Sequence, residues 1–334
     1  MKRKRICVFF AVFAAVLCFA FTYFGKREYS IYIPDALGTV SEIKIYAGND
    51  DALKEIREYI YMADKLFSVS DADSEIGRLN RGEQVELSIQ TEELLNLSLK
   101  YADPSDFNPF CGSLIELWED ARKNGVPPEQ SEIIRAHGQG YPFSLEISNH
   151  TARMTNPNQK INLGAVAKGY ISDGINDILD KYKVDSALVY LGGNVYAKGK
   201  NESNSAWRIG VCDPDTASGY LGIVHVQDMA VVTSGDYERF FEYNQKRYHH
   251  IINPGTGYPA ESGLRSVTVI CESGTLGDML STKCFIDGLQ KSKEVLANYG
   301  AYGIFVTDDG KVFYSRELGK SFECETDKYE FYEF

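Results

Sequence analysis

Apolar and polar residues alternate with a period of two over residues 29–34 and again over 40–47, on either side of Leu37-Gly38-Thr39. Two such runs about a tight turn predict a pair of strands. The period changes at Asp51: Leu53, Ile56, Ile60, Ala63 and Phe67 fall on one stripe, which predicts a helix over 51–67. Helices are also predicted over 91–101 and 109–122, the second with Pro109 in its first turn, where proline is tolerated. Residues 144–147 and 151–154 read as a hairpin across Ser148-Asn149-His150. A helix over 165–182 carries Ile171, Ile175, Ile178, Leu179 and Tyr182, and a strand over 187–195 runs through Gly192-Gly193. Strands follow at 207–211, 221–226, 230–233 and 266–270, then a helix over 276–289 and a hairpin of 303–307 with 312–315 about Asp308-Asp309-Gly310. Strands and helices interleave without a regular βαβ rhythm, which favours an α+β fold. No G-x-G-x-x-G opens a helix after the first strand, so a Rossmann site is disfavoured.

The first residues change the picture. Lys2, Arg3, Lys4 and Arg5 precede an uncharged apolar run over 6–24, close to the roughly 20 residues a helix needs to cross a bilayer. Secretory cores are shorter, about 7–15 residues, so a membrane anchor is favoured over a cleaved signal peptide. Basic residues on the amino side keep that end in the cytoplasm and put everything after Lys26 on the extracytoplasmic side. Residues 1–28 are thus assigned to an anchor or signal, and 29–334, without repeat or long linker, to one compact domain. The net charge of −12 includes four of the cations in the first five residues, so the remainder is more acidic still. Such a surface argues against a nucleic-acid footprint. A bound phosphate must be held locally, by backbone N–H groups, a few cations or a metal. Of seven cysteines, Cys7 and Cys18 lie in the apolar run. Cys111, Cys212, Cys271, Cys284 and Cys324 are widely spaced, with no C-x-x-C pair, and are expected to be buried small apolar residues.

Three local patterns carry candidate chemistry. Asp278 and Thr282 stand four apart in a predicted helix, so both oxygens project from one face and suit a hard cation such as Mg²⁺. The same residues allow a cap, with Thr275 at the N-cap and Asp278 three positions on. Lys168 opens a helix, where free N–H groups and the macrodipole favour an anion, but it also reads as a surface lysine. His250 precedes Ile251-Ile252-Asn253-Pro254-Gly255-Thr256-Gly257 and reads as a general base or a hydrogen-bonded strand end.

The ordered set is more specific than its parts. Leu37-Gly-Thr39, the stretch 67–80, Asp106-Phe107-Asn108 with Leu114 and Trp118, the stretch 162–173, Leu191-Gly-Gly-Asn194, Thr233-Ser-Gly-Asp-Tyr-Glu-Arg239, His250 to Gly257 and Thr275 to Thr282 follow one another along residues 29–320. In this order they make the chain resemble the ApbE-like family of FAD:protein FMN transferases, the flavinyltransferases. The resemblance implies an α+β, T-fold-like catalytic domain that takes FAD as substrate and Mg²⁺ on its pyrophosphate. It implies metal ligands at the Ala167 carbonyl, Asp278 and Thr282. FAD contacts are implied at Leu37, Ser70, Asp106, Phe107, Asn108, Gly164, Lys168, Tyr170 and Ile252, and catalysis at His250. The implied reaction moves FMN to a Ser/Thr hydroxyl of an acceptor flavoprotein bearing Asp-x-x-Ser/Thr-Gly-Ala-Ser/Thr, itself a membrane-associated redox protein, and releases AMP. This chain departs from the family pattern with Leu37 for Met, Asn108 for Asp and Ser70 for Tyr beside the flavin. The last leaves open an Mg²⁺-dependent FAD pyrophosphatase. A non-catalytic exported FAD-binding protein is the reading from another class.

Overall fold

The computed structural model describes residues 28–46, 50–216 and 219–334. The predicted anchor and Ala47, at the end of the second predicted strand, lie outside the described residues. No helix among the described residues is long and apolar enough to cross a membrane.

Nine strands form one sheet, and their order across it is their order along the chain. They are β1 (Glu28–Ala36), β2 (Thr39–Tyr46), β3 (Ser186–Leu191), β4 (Asn194–Gly199), β5 (Met229–Gly235), β6 (Leu264–Cys271), β7 (Tyr302–Thr307), β8 (Lys311–Tyr314) and β9 (Glu330–Glu333). Neighbours are antiparallel except β8 with β9. This is a meander with insertions, so the mixed, segregated architecture agrees with the sequence reading. Between β2 and β3 come helices α1 (Asp50–Phe67), α2 (Glu75–Asn80), α3 (Ile89–Tyr101), α4 (Gly112–Asn124), α5 (Gln130–His137) and α6 (Ala167–Lys181). Helix α7 (Gly274–Asn298) joins β6 to β7.

Consecutive residues of the central strands enter different cores, because side chains alternate across a sheet. Val232 and Val269 pack with Ile56, Ile60, Ile171, Ile175 and Leu280 under the helices. Val231 and Ile270 pack with Trp207, Ile209, Leu221 and Val224 on the other face. That face is covered by a small sheet of Trp207–Cys212, Tyr220–Val226 and Phe322–Cys324. Burial on both faces explains why β5 and β6 read as near-continuous apolar runs.

The structure corrects several expectations. The strand predicted over 187–195 is two strands: Gly192 (φ 52°) and Gly193 (φ 96°) form the two-residue turn between β3 and β4. A Cβ on Gly192 would stand 2.1 Å from Thr39 Oγ1, so the turn also needs glycine for space. Pro109 lies outside α4; its carbonyl accepts from Asn162 N at 2.8 Å, and the helix starts at Gly112. The helix predicted over 276–289 begins at Gly274 and breaks at Gly288 (φ 76°, ψ 170°) before continuing to Asn298. Helices α2 and α5 were not expected, being too short to show a repeating stripe. Cys111, Cys271 and Cys284 are buried thiols, pushed up to about 12 chiefly by burial. Cys212 and Cys324 are exposed instead, at strand ends of the small sheet.

Candidate active site

Two glycines let α6 and α7 cross at backbone distance. A Cβ on Gly169 would meet the Gly274 carbonyl at 2.2 Å, and one on Gly274 would meet the Gly169 carbonyl at 2.8 Å. The crossing is fastened by Asp173 of α6, which takes the place of a second cap for α7. Its carboxylate accepts from Ser273 Oγ (2.8 Å), Gly274 N (2.6 Å), Thr275 N (2.9 Å) and Thr275 Oγ1 (2.7 Å). These donors include exposed N–H groups of a helix start, where a negative charge is favourable. Asp173→Ala is expected to cost about 2–4 kcal/mol, the loss of several hydrogen bonds to one charged group. A urea midpoint unchanged from wild type would contradict this.

The N-cap of α7 is Ser273, whose Oγ accepts from Leu276 N at 3.2 Å. The capping alternative for Thr275 and Asp278 therefore does not hold. Asp278 is buried, and its Oδ2 accepts from Gly169 N at 2.9 Å while Lys168 Nζ lies 3.6 Å from Oδ1. One turn on, Thr282 Oγ1 has Ser234 Oγ at 3.5 Å, and Ser234 Oγ is better engaged by Ser281 Oγ at 2.9 Å. Asp278 Oδ1 and the Thr282 hydroxyl thus keep acceptor capacity unspent, and Ala167 opens α6 beside Lys168 and Gly169. An all-oxygen donor set with few protein groups fits Mg²⁺.

His250 follows the hairpin of Phe240–Tyr243 and Lys246–His249. It lines a crevice with Trp118, Arg239, Phe241 and Tyr248. Its Nδ1 is buried without a hydrogen-bond partner. Burial, then the charges of Arg239, His249 and Lys168, push its pKa down to about 3. The imidazole is therefore neutral across the neutral pH range. His249 has the structural role instead, with Nε2 at 3.0 Å from the Ala260 carbonyl. Glu238 is raised by burial, against the opposing pull of Lys168 and Arg239. Lys168 is the electrostatic link: it lies beside Asp278, and its charge reaches both His250 and Glu238.

The other predicted residues are spread around this centre. Leu37 has left-handed backbone (φ 59°), unusual for leucine, and its N–H donates to Asp64 Oδ1 at 2.9 Å. The next carbonyl, of Gly38, takes a long contact (3.5 Å) from Arg239 Nη2, which brings this turn to the His250 side. Gly164 is exposed in the turn before α6, its N–H on Asn162 Oδ1 at 2.8 Å. Asp106 is buried and paired with Lys283 of α7 at 2.5 Å. Phe107 and Ile252 are core side chains. Asn108 is committed to the backbone at both ends, donating to the Gly140 carbonyl (3.0 Å) and accepting from Phe110 N (2.8 Å). Tyr170 turns towards α3 and α1, donating to Glu93 at 2.7 Å and meeting Phe67 edge to face at 6.0 Å. Ser70 is exposed in the loop after α1, its Oγ 3.2 Å from Ser68 Oγ.

Two residues important to this geometry stand inside the motif stretches, but the chain around them did not name their partners. Asp173, the last residue of the stretch 162–173, is brought against the start of α7. Asp236 receives Arg265 Nε at 2.9 and 3.0 Å, and Arg265 Nη1 reaches Asp215 at 2.6 Å, which fixes the segment leading to Glu238 and Arg239.

The chain matches the ApbE family model over residues 37–305. It is 31% identical to the FAD:protein FMN transferase of Treponema pallidum, over 92% of this chain and 94% of that relative. Against the ApbE protein of Thermotoga maritima the structure gives a TM-score of 0.80 at 32% identity, covering 90% of this chain and 100% of the other. Against the flavin transferase ApbE of Vibrio cholerae it gives 0.77 at 25% identity, covering 88% and 100%. With most of the chain inside the family model and a relative this similar over nearly its whole length, the chain belongs to the ApbE family.

Proposed function

We propose that the chain acts as its relatives are named: it is an FAD:protein FMN transferase that moves FMN from FAD to a Ser/Thr hydroxyl of an acceptor protein. The observation that carries this reading is Lys168 at the start of α6, 3.6 Å from the buried carboxylate of Asp278 and close enough for its charge to act on the neutral imidazole of His250. A cation at a helix start suits a diphosphate. A neutral imidazole with an unpartnered nitrogen can take a proton. In the reaction the acceptor oxygen bonds the phosphorus on the riboflavin side of FAD, and the bond from that phosphorus to the AMP oxygen breaks. The hydroxyl proton passes to His250, and AMP leaves. The approaching diphosphate raises the proton affinity of His250, because a nearby negative charge favours the imidazolium.

Ala167, Asp278 and Thr282 would hold Mg²⁺, which when bound offsets phosphate charge and polarises the phosphoryl oxygens. Leu37, the 106–108 segment, Gly164 and Lys168 would line the nucleotide. Phe107 and Ile252 would do so through backbone or packing, since their side chains are buried. The acceptor is a flavoprotein with the Asp-x-x-Ser/Thr-Gly-Ala-Ser/Thr motif. The apolar run over 6–24 supports a domain tethered outside the cytoplasmic membrane, facing membrane-associated redox acceptors.

The test is the intact mass of a protein bearing that motif after incubation with this chain, FAD and Mg²⁺. A gain of one FMN, abolished by EDTA, is expected. AMP release without a mass gain would replace transfer by FAD hydrolysis, with exposed Ser70 supplying no aromatic surface for the flavin. Neither product would leave an FAD-binding protein.

A further inference from the structure

Lys283 follows Thr282 on α7 and reaches away from it, between two carboxylates. Its Nζ lies 2.5 Å from Asp106 Oδ2 and 3.2 Å from Asp287 Oδ2. The side chains are 21%, 9% and 9% exposed respectively, so water and salt screen these pairs little. Asp106 is held at its other oxygen too, accepting from Phe107 N at 2.6 Å. The loop around it is closed on itself: Asp103 N donates to the Phe107 carbonyl at 2.7 Å, and Ser105 Oγ and N both donate to Asp103 Oδ1, at 2.5 and 2.8 Å. Asn108 fastens the far end to Gly140 and Phe110. The loop is thus an internally bonded body, and the Asp106–Lys283 pair ties it to the helix of Asp278 and Thr282.

We infer that Lys283 is a positioning residue for the nucleotide site: through Asp106 it holds the 106–108 segment at a fixed spacing from Asp278 and Thr282. The inference rests on the proposed function, in which FAD spans these two sides. Removing Lys283 leaves Asp106 without its cation, while Asp287 keeps only the longer contact to Lys291 (3.8 Å), so the buried tie between the loop and the helix is lost. A purely electrostatic role makes a different demand. Lys283→Met makes the site more negative and Asp106→Asn makes it less so, so a charge effect alone would move the affinity for anionic FAD in opposite directions.

The experiment measures KM for FAD and kcat of FMN transfer in the full chain. Both Lys283→Met and Asp106→Asn are expected to raise KM about tenfold, a typical coupling between sites, with kcat within about threefold. Lys283→Arg, which keeps the pair, is expected to stay near wild type. Opposite shifts in the two variants, or no shift in either, would overturn the inference; if Lys283→Met does not fold, Lys283→Gln takes its place, because Asp106 itself belongs to the segment proposed to line the nucleotide. If the wild type transfers no FMN, the proposed function fails and the tie is read from amide hydrogen exchange of residues 103–110. Faster exchange in both variants supports it, and unchanged exchange overturns it.

Discussion

Replacing His250 with alanine lowers FMN transfer about 10²–10⁴-fold, the usual contribution of a positioned acid or base, while FAD binding changes little. Full activity in His250→Ala would remove the base from the mechanism. The depressed pKa sets the pH dependence. Because the free imidazole stays neutral down to about pH 3, His250 contributes no fall in kcat/KM between pH 8 and 5. Stability behaves otherwise. Between about 6.5 and 3 the unfolded chain binds a proton that the native chain does not, so stability falls as pH falls, by up to about 1.4 kcal/mol per pH unit. Urea midpoints at pH 6 and pH 4 should show a shallower acid loss in His250→Ala than in wild type.

Asp278→Asn is the second large effect, a loss of about 10²–10³-fold in transfer, comparable to removing one preorganised electrostatic contact to a developing charge. Asparagine retains an oxygen for Gly169 N, now 2.9 Å from Oδ2, and so keeps the anchor between α6 and α7. It loses the anionic oxygen beside Lys168 that the proposed Mg²⁺ would take. The Asn variant therefore separates the two roles. Near-native melting with lost transfer supports the metal-ligand role, whereas lost melting with retained transfer would reduce Asp278 to a packing residue.

Asp278 also marks how far local reading reaches. Its spacing from Thr282 favoured a helix cap over a metal pair, and the helix start removes the cap, because Ser273 occupies that position two residues before Thr275. His250 is set apart from adjacent His249 by its place in the motif, and packing adds the physical reason: His249 points a nitrogen at the Ala260 carbonyl, while His250 keeps an unpartnered nitrogen in the crevice. Asn108 has a polar side chain suited to a ligand, yet the fold spends both its ends on backbone groups.

What the sequence by itself determined is the local grammar. The two-residue period of β1 and β2, the apolar stripes of α1 and α6, and the glycines that require left-handed backbone or close approach all act through neighbours within a few residues. The order of the family motifs was equally legible, since it is a property of the chain. The tertiary structure decided which distant groups meet. Lys168 with Asp278, Asp173 with the start of α7, Arg265 with Asp236 and Lys283 with Asp106 are joined across long stretches of chain. Such pairs leave no periodic trace, because their partners are selected by the meander bringing β5, β6 and α7 against α6. The physical cause is that burial removes water as the competing partner, and a charge that would be solvated in the unfolded chain must then be met by whichever side chain the fold delivers.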